Sequence, residues 1–206
     1  MRRLAFSLLV TLALAACGAE PVWAPDDAVA RARYVSGQQP SITLFTVVRK
    51  TGGEGAHSGL MIDASQRVMF DPAGTWNHPQ VPERNDLHYG ITEQMRKFYI
   101  DYHARETYDV IEQKVMVSPA VAEAALRRAE SYGAVNKAFC GNSVSDILQG
   151  VPGFESIPRT FFPNRIMRAF GALPGVTRKV HVDGDPDNNS GILLIQRDAV
   201  AGADTQ

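Results

Sequence analysis

Between residues 41 and 71 the chain carries three short β-branched or apolar runs separated by two tight turns, and this rhythm constrains the fold most. SITLFTVVR (41–49), HSGLMID (57–63) and RVMFD (67–71) each have the composition of a strand. TGGEG (51–55) separates the first two, and Pro72-Ala73-Gly74 closes the third. Connections this short join only antiparallel neighbours. The pairing parity of the second hairpin then decides which side chains can meet. An odd loop such as Ala64 to Gln66 sets Gly59 opposite Asp71 and puts His57 and Asp71 on one face. A two-residue Ala64-Ser65 turn would put them on opposite faces.

The rest of the chain adds helices. ITEQMRKFYIDYH, which begins at Ile91, has Ile91, Met95, Phe98 and Tyr99 at helical spacing. YDVIEQKVMV (108–117) is a further strand. Ser118 and Pro119 then supply an N-cap and a first-turn proline. The helix they start carries Ala122, Ala125, Leu126 and Ala129 on one face and stops near Gly133. Another begins at Cys140, with Val144, Ile147 and Leu148 on the cysteine's side, and ends at Gly150. GILLIQ (191–196) predicts a closing strand. The expected class is α+β, an antiparallel sheet packed against a cysteine-bearing helix.

The first seventeen residues read differently. Arg2 and Arg3 precede an apolar run, Leu4 to Ala16, too short for a permanent span of ~20 residues but suited to a secretory signal. The run closes on Leu14-Ala15-Ala16-Cys17, which resembles a bacterial lipobox. That resemblance implies cleavage before Cys17 and acylation of that cysteine; the alternative is an ordinary signal cut near Ala16. Gly18 is no inner-membrane retention signal, so the same resemblance implies a lipid anchor in the outer membrane of a Gram-negative cell, facing the periplasm. The expected organisation is a signal (1–16), an acylated tether (17–40), one domain (41–200) and a short tail (201–206). Without residues 1–16 the chain keeps 19 basic against 22 acidic residues, which gives no basic stripe for nucleic acid.

With Cys17 lipidated, Cys140 has no disulfide partner within the chain. In an oxidising compartment a lone thiol is either buried and inert or retained for its chemistry. Its place at a helix start favours the second, because free N–H groups and the helix dipole stabilise a thiolate. A neighbouring histidine would stabilise it further and act as base. His57 opens a strand and is followed by small Ser58 and Gly59, which let a helix come close.

HSGLMIDASQRVMFD resembles the histidine hairpin of NlpC-type cell-wall peptidases, and FCGNSVSDIL resembles their nucleophile segment. In most of that family the cysteine comes first. Here His57 precedes Cys140, the order of the circularly permuted papain-like branch, which includes bacterial envelope proteins and the lecithin retinol acyltransferase-like enzymes. The resemblance spans residues 41–150 and implies a permuted papain-like fold. It makes Cys140 the nucleophile, His57 its base and Asp71 the residue that orients the base. The family more often has His, Asn or Gln at the third position, and this hairpin is about two residues longer than its pattern. Asp71 in DPAG could equally be a turn former.

The remaining histidines, His78, His88, His103 and His181, lack metal-ligand spacing and are expected on surfaces or loops, with His88 held in reserve as base. DGDPDNNSG (183–191) lacks the glycine and the closing glutamate of a calcium loop, so a solvated hairpin turn is expected. TGGEG lacks the Lys-Ser/Thr of a phosphate loop. Trp76 is a candidate to line a substrate groove. No metal or cofactor is expected. Family and location together imply a thioester-forming amidase or endopeptidase acting on cell-wall peptides. Two alternatives stand beside it: an acyl-ester or lipid acyltransferase on the same fold, and a non-catalytic envelope scaffold.

Overall fold

The computed structural model describes residues 18–201. The signal run and Cys17, with its lipidation, lie outside the described residues, as does the tail beyond 201. Within them the fold is mixed α and β, with seven strands in one sheet and six helices. The strands are β1 (Ser41–Arg49), β2 (Gly55–Asp63), β3 (Arg67–Phe70), β4 (Glu83–Arg84), β5 (Leu87–Tyr89), β6 (Tyr108–Met116) and β7 (Thr177–His181). The helices are α1 (Asp26–Ala32), α2 (Glu93–His103), α3 (Pro119–Glu130), α4 (Cys140–Gln149), α5 (Pro163–Gly171) and α6 (Asn189–Ala201). The sheet order is β4-β5-β3-β2-β1-β6-β7, and every neighbouring pair is antiparallel. No helix among the described residues is long and apolar enough to cross a membrane.

β1 lies near the middle and is buried on both faces from Ser41 to Val47, so its run is almost continuously apolar or β-branched. One face of the sheet presents Ile42, Leu44, Leu60, Ile62 and Phe70 to α3, α4 and α5, through Leu126, Val144, Ile147, Leu148, Ile166 and Phe170. The other presents Phe45, Met61, Met69 and Val110 to α2, through Met95, Tyr99 and Tyr102, with Ile192 and Leu193 of α6 at the margin. Each fully buried Leu, Ile or Phe contributes roughly 1.5–3 kcal/mol. Two packed faces therefore fix the sheet from both sides.

The β2–β3 hairpin has the odd-loop register. Leu60 opposes Phe70 and Asp63 opposes Arg67, which leaves Ala64–Gln66 as the loop and sets Gly59 across from Asp71. Buried Arg67 locks this turn, since its Nε and Nη2 both donate to Asp63 Oδ2 and its Nη1 donates to Glu93 at the start of α2. Residues 22–24 lie beside the far edge. Ala24 N–H donates to the Glu83 carbonyl, Asn85 N–H donates to the Val22 carbonyl, and Arg84 sits over the Trp23 ring.

Several expectations need correction. GILLIQ is not a strand but part of α6, because β7 already occupies the edge beside β6. Asn188 Oδ1 accepts the Gly191 N–H, as an N-cap does, and Gln196 donates to the Phe98 carbonyl and to Asp101 on α2. DGDPDNNSG is consequently no hairpin turn: residues 183–188 lie in the loop between β7 and α6, and Asn189 to Gly191 form the first turn of α6. Trp76 is a core residue, buried against Tyr99 and His88 with its indole N–H donating to Gln196. Of the histidines expected on surfaces or loops, His78 does lie in the loop between β3 and β4 but is buried there, His88 is buried on β5, and half-buried His181 ends β7 and pairs with Glu112 on β6.

The two apolar runs should respond oppositely to truncation. Leu148→Ala removes a fully buried side chain and is expected to cost about 2–5 kcal/mol. Leu194→Ala, on the exposed side of α6, should stay within about 0.5 kcal/mol. Urea unfolding of both variants checks this, and a large loss at Leu194 would restore the strand reading of GILLIQ.

Candidate active site

Cys140, His57 and Asp71 come together where β3 ends. β3 pairs with β2 only as far as Leu60, so Gly55–Gly59 are paired with β1 alone and leave their other edge open. The start of α4 fills that opening. The register of β1 and β2 also shifts here, with Val47 opposite His57 but Val48 opposite Gly55. Such a bulge re-aims the side chain beside it.

His57 Nε2 donates to Asp71 Oδ1 at 2.6 Å. That bond settles the roles of the two ring nitrogens, because Nδ1 is left as the one able to exchange a proton with sulfur. Tyr99 Oη donates to the same carboxylate oxygen at 2.8 Å. Two glycines make room for this arrangement. A Cβ at position 59 would collide with Tyr99 Oη, and one at position 74 with the Asp71 carboxylate.

The charges follow from these contacts. Burial pushes the Asp71 carboxyl up, but the charge and hydrogen bond of His57 outweigh it and hold the group well below the usual carboxylate range. Burial likewise pushes His57 down, yet Asp71 and then Cys140 overcome it and raise the imidazole to about 10. Burial pushes the Cys140 thiol up. Hydrogen bonding and charge from His57, with the backbone N–H groups of Ser58 and Gly141, more than offset this, and the thiol falls below its ordinary range. Both shifts favour the thiolate–imidazolium form of the pair over the neutral one.

His103 belongs to this neighbourhood, not to a surface or loop as its sequence context suggests. Its ring stacks on His57 with centroids 5.5 Å apart and planes 3° from parallel. Burial drives its pKa down to about 4, and the nearby His57 charge adds to that, so it stays neutral. Its Nδ1–H donates to the Tyr99 carbonyl. The one signal in the sequence is the four-residue step from Tyr99 to His103, which puts both on the same helical face. Asp86 is a further residue that the sequence does not single out. Its carboxylate accepts the N–H groups of Ala73 and Val135, tying the turn after Asp71 to the segment that leads into Cys140. His88, the reserve base, lies on β5 behind Asp71 with its Nδ1 unpartnered.

The rim of the site is aromatic. Phe139, Phe161 and Phe162 are 40%, 51% and 64% exposed, whereas adjacent Cys140 is 8% exposed. Ser145 of α4 bonds the backbone of Thr160 in both directions and so holds the phenylalanine loop against the cysteine helix. Comparison of the chain with protein-family models, with curated proteins and with solved structures finds no match.

Alkylation of native protein should report the thiolate. Because the Cys140 pKa is depressed, iodoacetamide labelling should stay fast as pH falls below the ~8.5 of an ordinary thiol. His57→Ala removes the charge partner and leaves the burial, so the profile should move to higher pH. Labelling near about pH 6 should then fall tenfold or more, because the thiolate fraction drops about tenfold for each pH unit that the profile moves. Labelling that is slow at every pH and indifferent to His57→Ala would mark Cys140 as an inert core thiol.

Proposed function

We propose that this chain is an envelope lipoprotein, anchored through Cys17 in an outer membrane, whose domain is a permuted papain-like cysteine hydrolase acting on amide bonds of cell-wall peptides. The observation that carries the reading is the bond from His57 Nε2 to Asp71 beside a cysteine at a helix start, with the charges of all three groups set for nucleophilic attack. The order of His57 before Cys140 and the antiparallel sheet against α4 support the permuted fold. Site and cell-wall substrate come from different sources: geometry supports the chemistry, and the resemblance of the two motifs supports the peptide.

The reaction runs in two halves. The Cys140 thiolate attacks the carbonyl carbon, the carbon–nitrogen bond breaks, and the His57 imidazolium gives its Nδ1 proton to the leaving amine. This leaves a thioester and a neutral imidazole. Water then loses a proton to His57 Nδ1 and attacks the thioester, releasing the acid and restoring the thiolate–imidazolium pair. Asp71 holds the ring orientation throughout and stabilises imidazolium whenever it forms, without taking a proton.

A second reading keeps this chemistry and changes the substrate to an acyl ester or lipid. The exposed Phe139, Phe161 and Phe162 beside the nucleophile favour it, because an apolar rim suits an acyl chain better than a polar peptide. Incubation with purified cell wall and, separately, with phospholipid vesicles decides between them by mass spectrometry. Released peptide fragments support the amidase and released fatty acid the second reading. Cys140→Ala should abolish either activity, and His57→Ala should lower it by roughly 10²–10⁴-fold. Product from neither substrate would leave a non-catalytic scaffold as the better account.

A further inference from the structure

His57 borders a cavity of about 260 Å³ that also has Gly74, Thr75, Tyr102, His103 and Arg105 among its walls. Three side chains at this place have the donor set of a transition-metal site. One ligand atom each from His57, Asp71 and His103 lies within 4.8 Å of the others, and no other such group of three occurs among the described residues. Their spacing in sequence hides this, because they come from β2, the end of β3 and the end of α2.

We propose that His57, Asp71 and His103 form a three-ligand site for a zinc-class divalent ion, and that its occupation switches the Cys140 nucleophile off. Two histidines and a carboxylate with a water in the fourth position are a familiar zinc set. Three further observations point to a ligand. Asp71 Oδ2 is buried and has no hydrogen-bond partner. His103 donates Nδ1–H to the Tyr99 carbonyl, the outer-shell bond that metal-binding histidines usually make, which fixes Nε2 as its bare nitrogen. The cavity supplies an approach to both rings. Arg105, the cation in the cavity wall, is itself paired with Asp101 and Asp185, so its charge is already offset.

Around a tetrahedral ion with bonds of ~2.1 Å the ligand atoms stand about 3.4 Å apart, so His57 Nε2 and Asp71 Oδ1, now 2.6 Å apart, must separate while any pair near the 4.8 Å limit closes. Binding replaces the Nε2 proton of His57, which is released to solvent, and the bond from that nitrogen to Asp71 gives way to two metal bonds. The remaining ring proton then resides on Nδ1. A metal-bound His57 of this kind has no lone pair facing the sulfur and cannot take a proton from substrate water. The thiolate itself persists, because Nδ1–H still faces it.

The site stands on geometry alone, while its switching role rests on the reading of His57 as base. Titration of the intact protein with Zn²⁺ by calorimetry, and with Co²⁺ by visible absorption, tests the first. One equivalent should bind, with His103→Gln and Asp71→Asn weakening it about 100-fold or more, whereas His88→Gln, a buried histidine outside the set, should retain it. Cys140→Ser should also bind Co²⁺, and the wild-type spectrum should lack a thiolate-to-cobalt charge-transfer band. Absence of saturable binding would overturn the site, as would binding that depends on Cys140 and ignores His103. For the second, Zn²⁺ should stop substrate turnover and leave iodoacetamide labelling of Cys140 fast. Zinc that binds at the three ligands without slowing turnover would refute the switch. A Cys140 that fails to label even without metal would refute the hydrolase while leaving the metal result standing.

Discussion

The register of one hairpin underlies the rest of the structure. Side chains alternate across a strand with a period of two, so a slip by one residue moves every side chain of β3 to the opposite face. With Ala64–Gln66 as the loop, Phe70 joins the core under α4 while Asp71 turns toward His57 and α2. A two-residue turn would drive a carboxylate into the apolar layer and strand Phe70 beside His57. The ion pair of Arg67 with Asp63 closes this hairpin where the error would arise, and its third bond, to Glu93, fixes α2 relative to the turn. Tyr99 on α2 then arrives over Gly59, where only a hydrogen atom leaves it room.

Asp71 turns that geometry into chemistry. A buried carboxylate without partners would cost several kcal/mol and would take up a proton instead. Two donors, His57 and Tyr99, keep it ionised, and its charge in turn keeps His57 protonated. The neighbouring ring of His103 shows what the same residue does without that bond. It stacks on His57 and shares its burial, which lowers it to about 4, since it has a backbone carbonyl and no carboxylate as hydrogen-bond partner to offset that burial. Two histidines in contact thus hold opposite charge states, and the position of one carboxylate decides which is which.

Much of this was legible in the chain. The strands 41–49, 57–63 and 67–71 and the helices capped at Ser118 and begun at Cys140 announce themselves through period, turn residues and caps. So did the three side chains that the structure gathers at the end of β3. What escaped notice was set by tertiary context. GILLIQ is a short apolar run whose period fits a strand or a helix, and only the prior occupation of the sheet edge by β7 decides between them. α5 lies in a proline-punctuated stretch, SIPRTFFPNRIMRAFGALPG, where Pro163 at its first position and the step from Ile166 to Phe170 were the available signals. His103 and Trp76 were misplaced because neither spacing nor composition tells a polar ring packed behind a site from one in water.

The open edge of β2 has a second consequence. Unpaired N–H and C=O groups on a strand invite pairing with another chain, the route to ordered aggregates that folded proteins guard against with bulges, charges or covering elements. Here the cover is α4, the helix that carries Cys140. The backbone N–H of Ser58 on this edge helps to hold the Cys140 thiol below its ordinary range, and Asn164 at the start of α5 donates to the Gly53 carbonyl at the head of the same edge. Any opening that withdrew α4 would release a thiol and expose a strand edge together. Colloidal stability of the folded chain and the burial of its thiol are thereby one property, so selection against self-association alone would preserve the seating of Cys140.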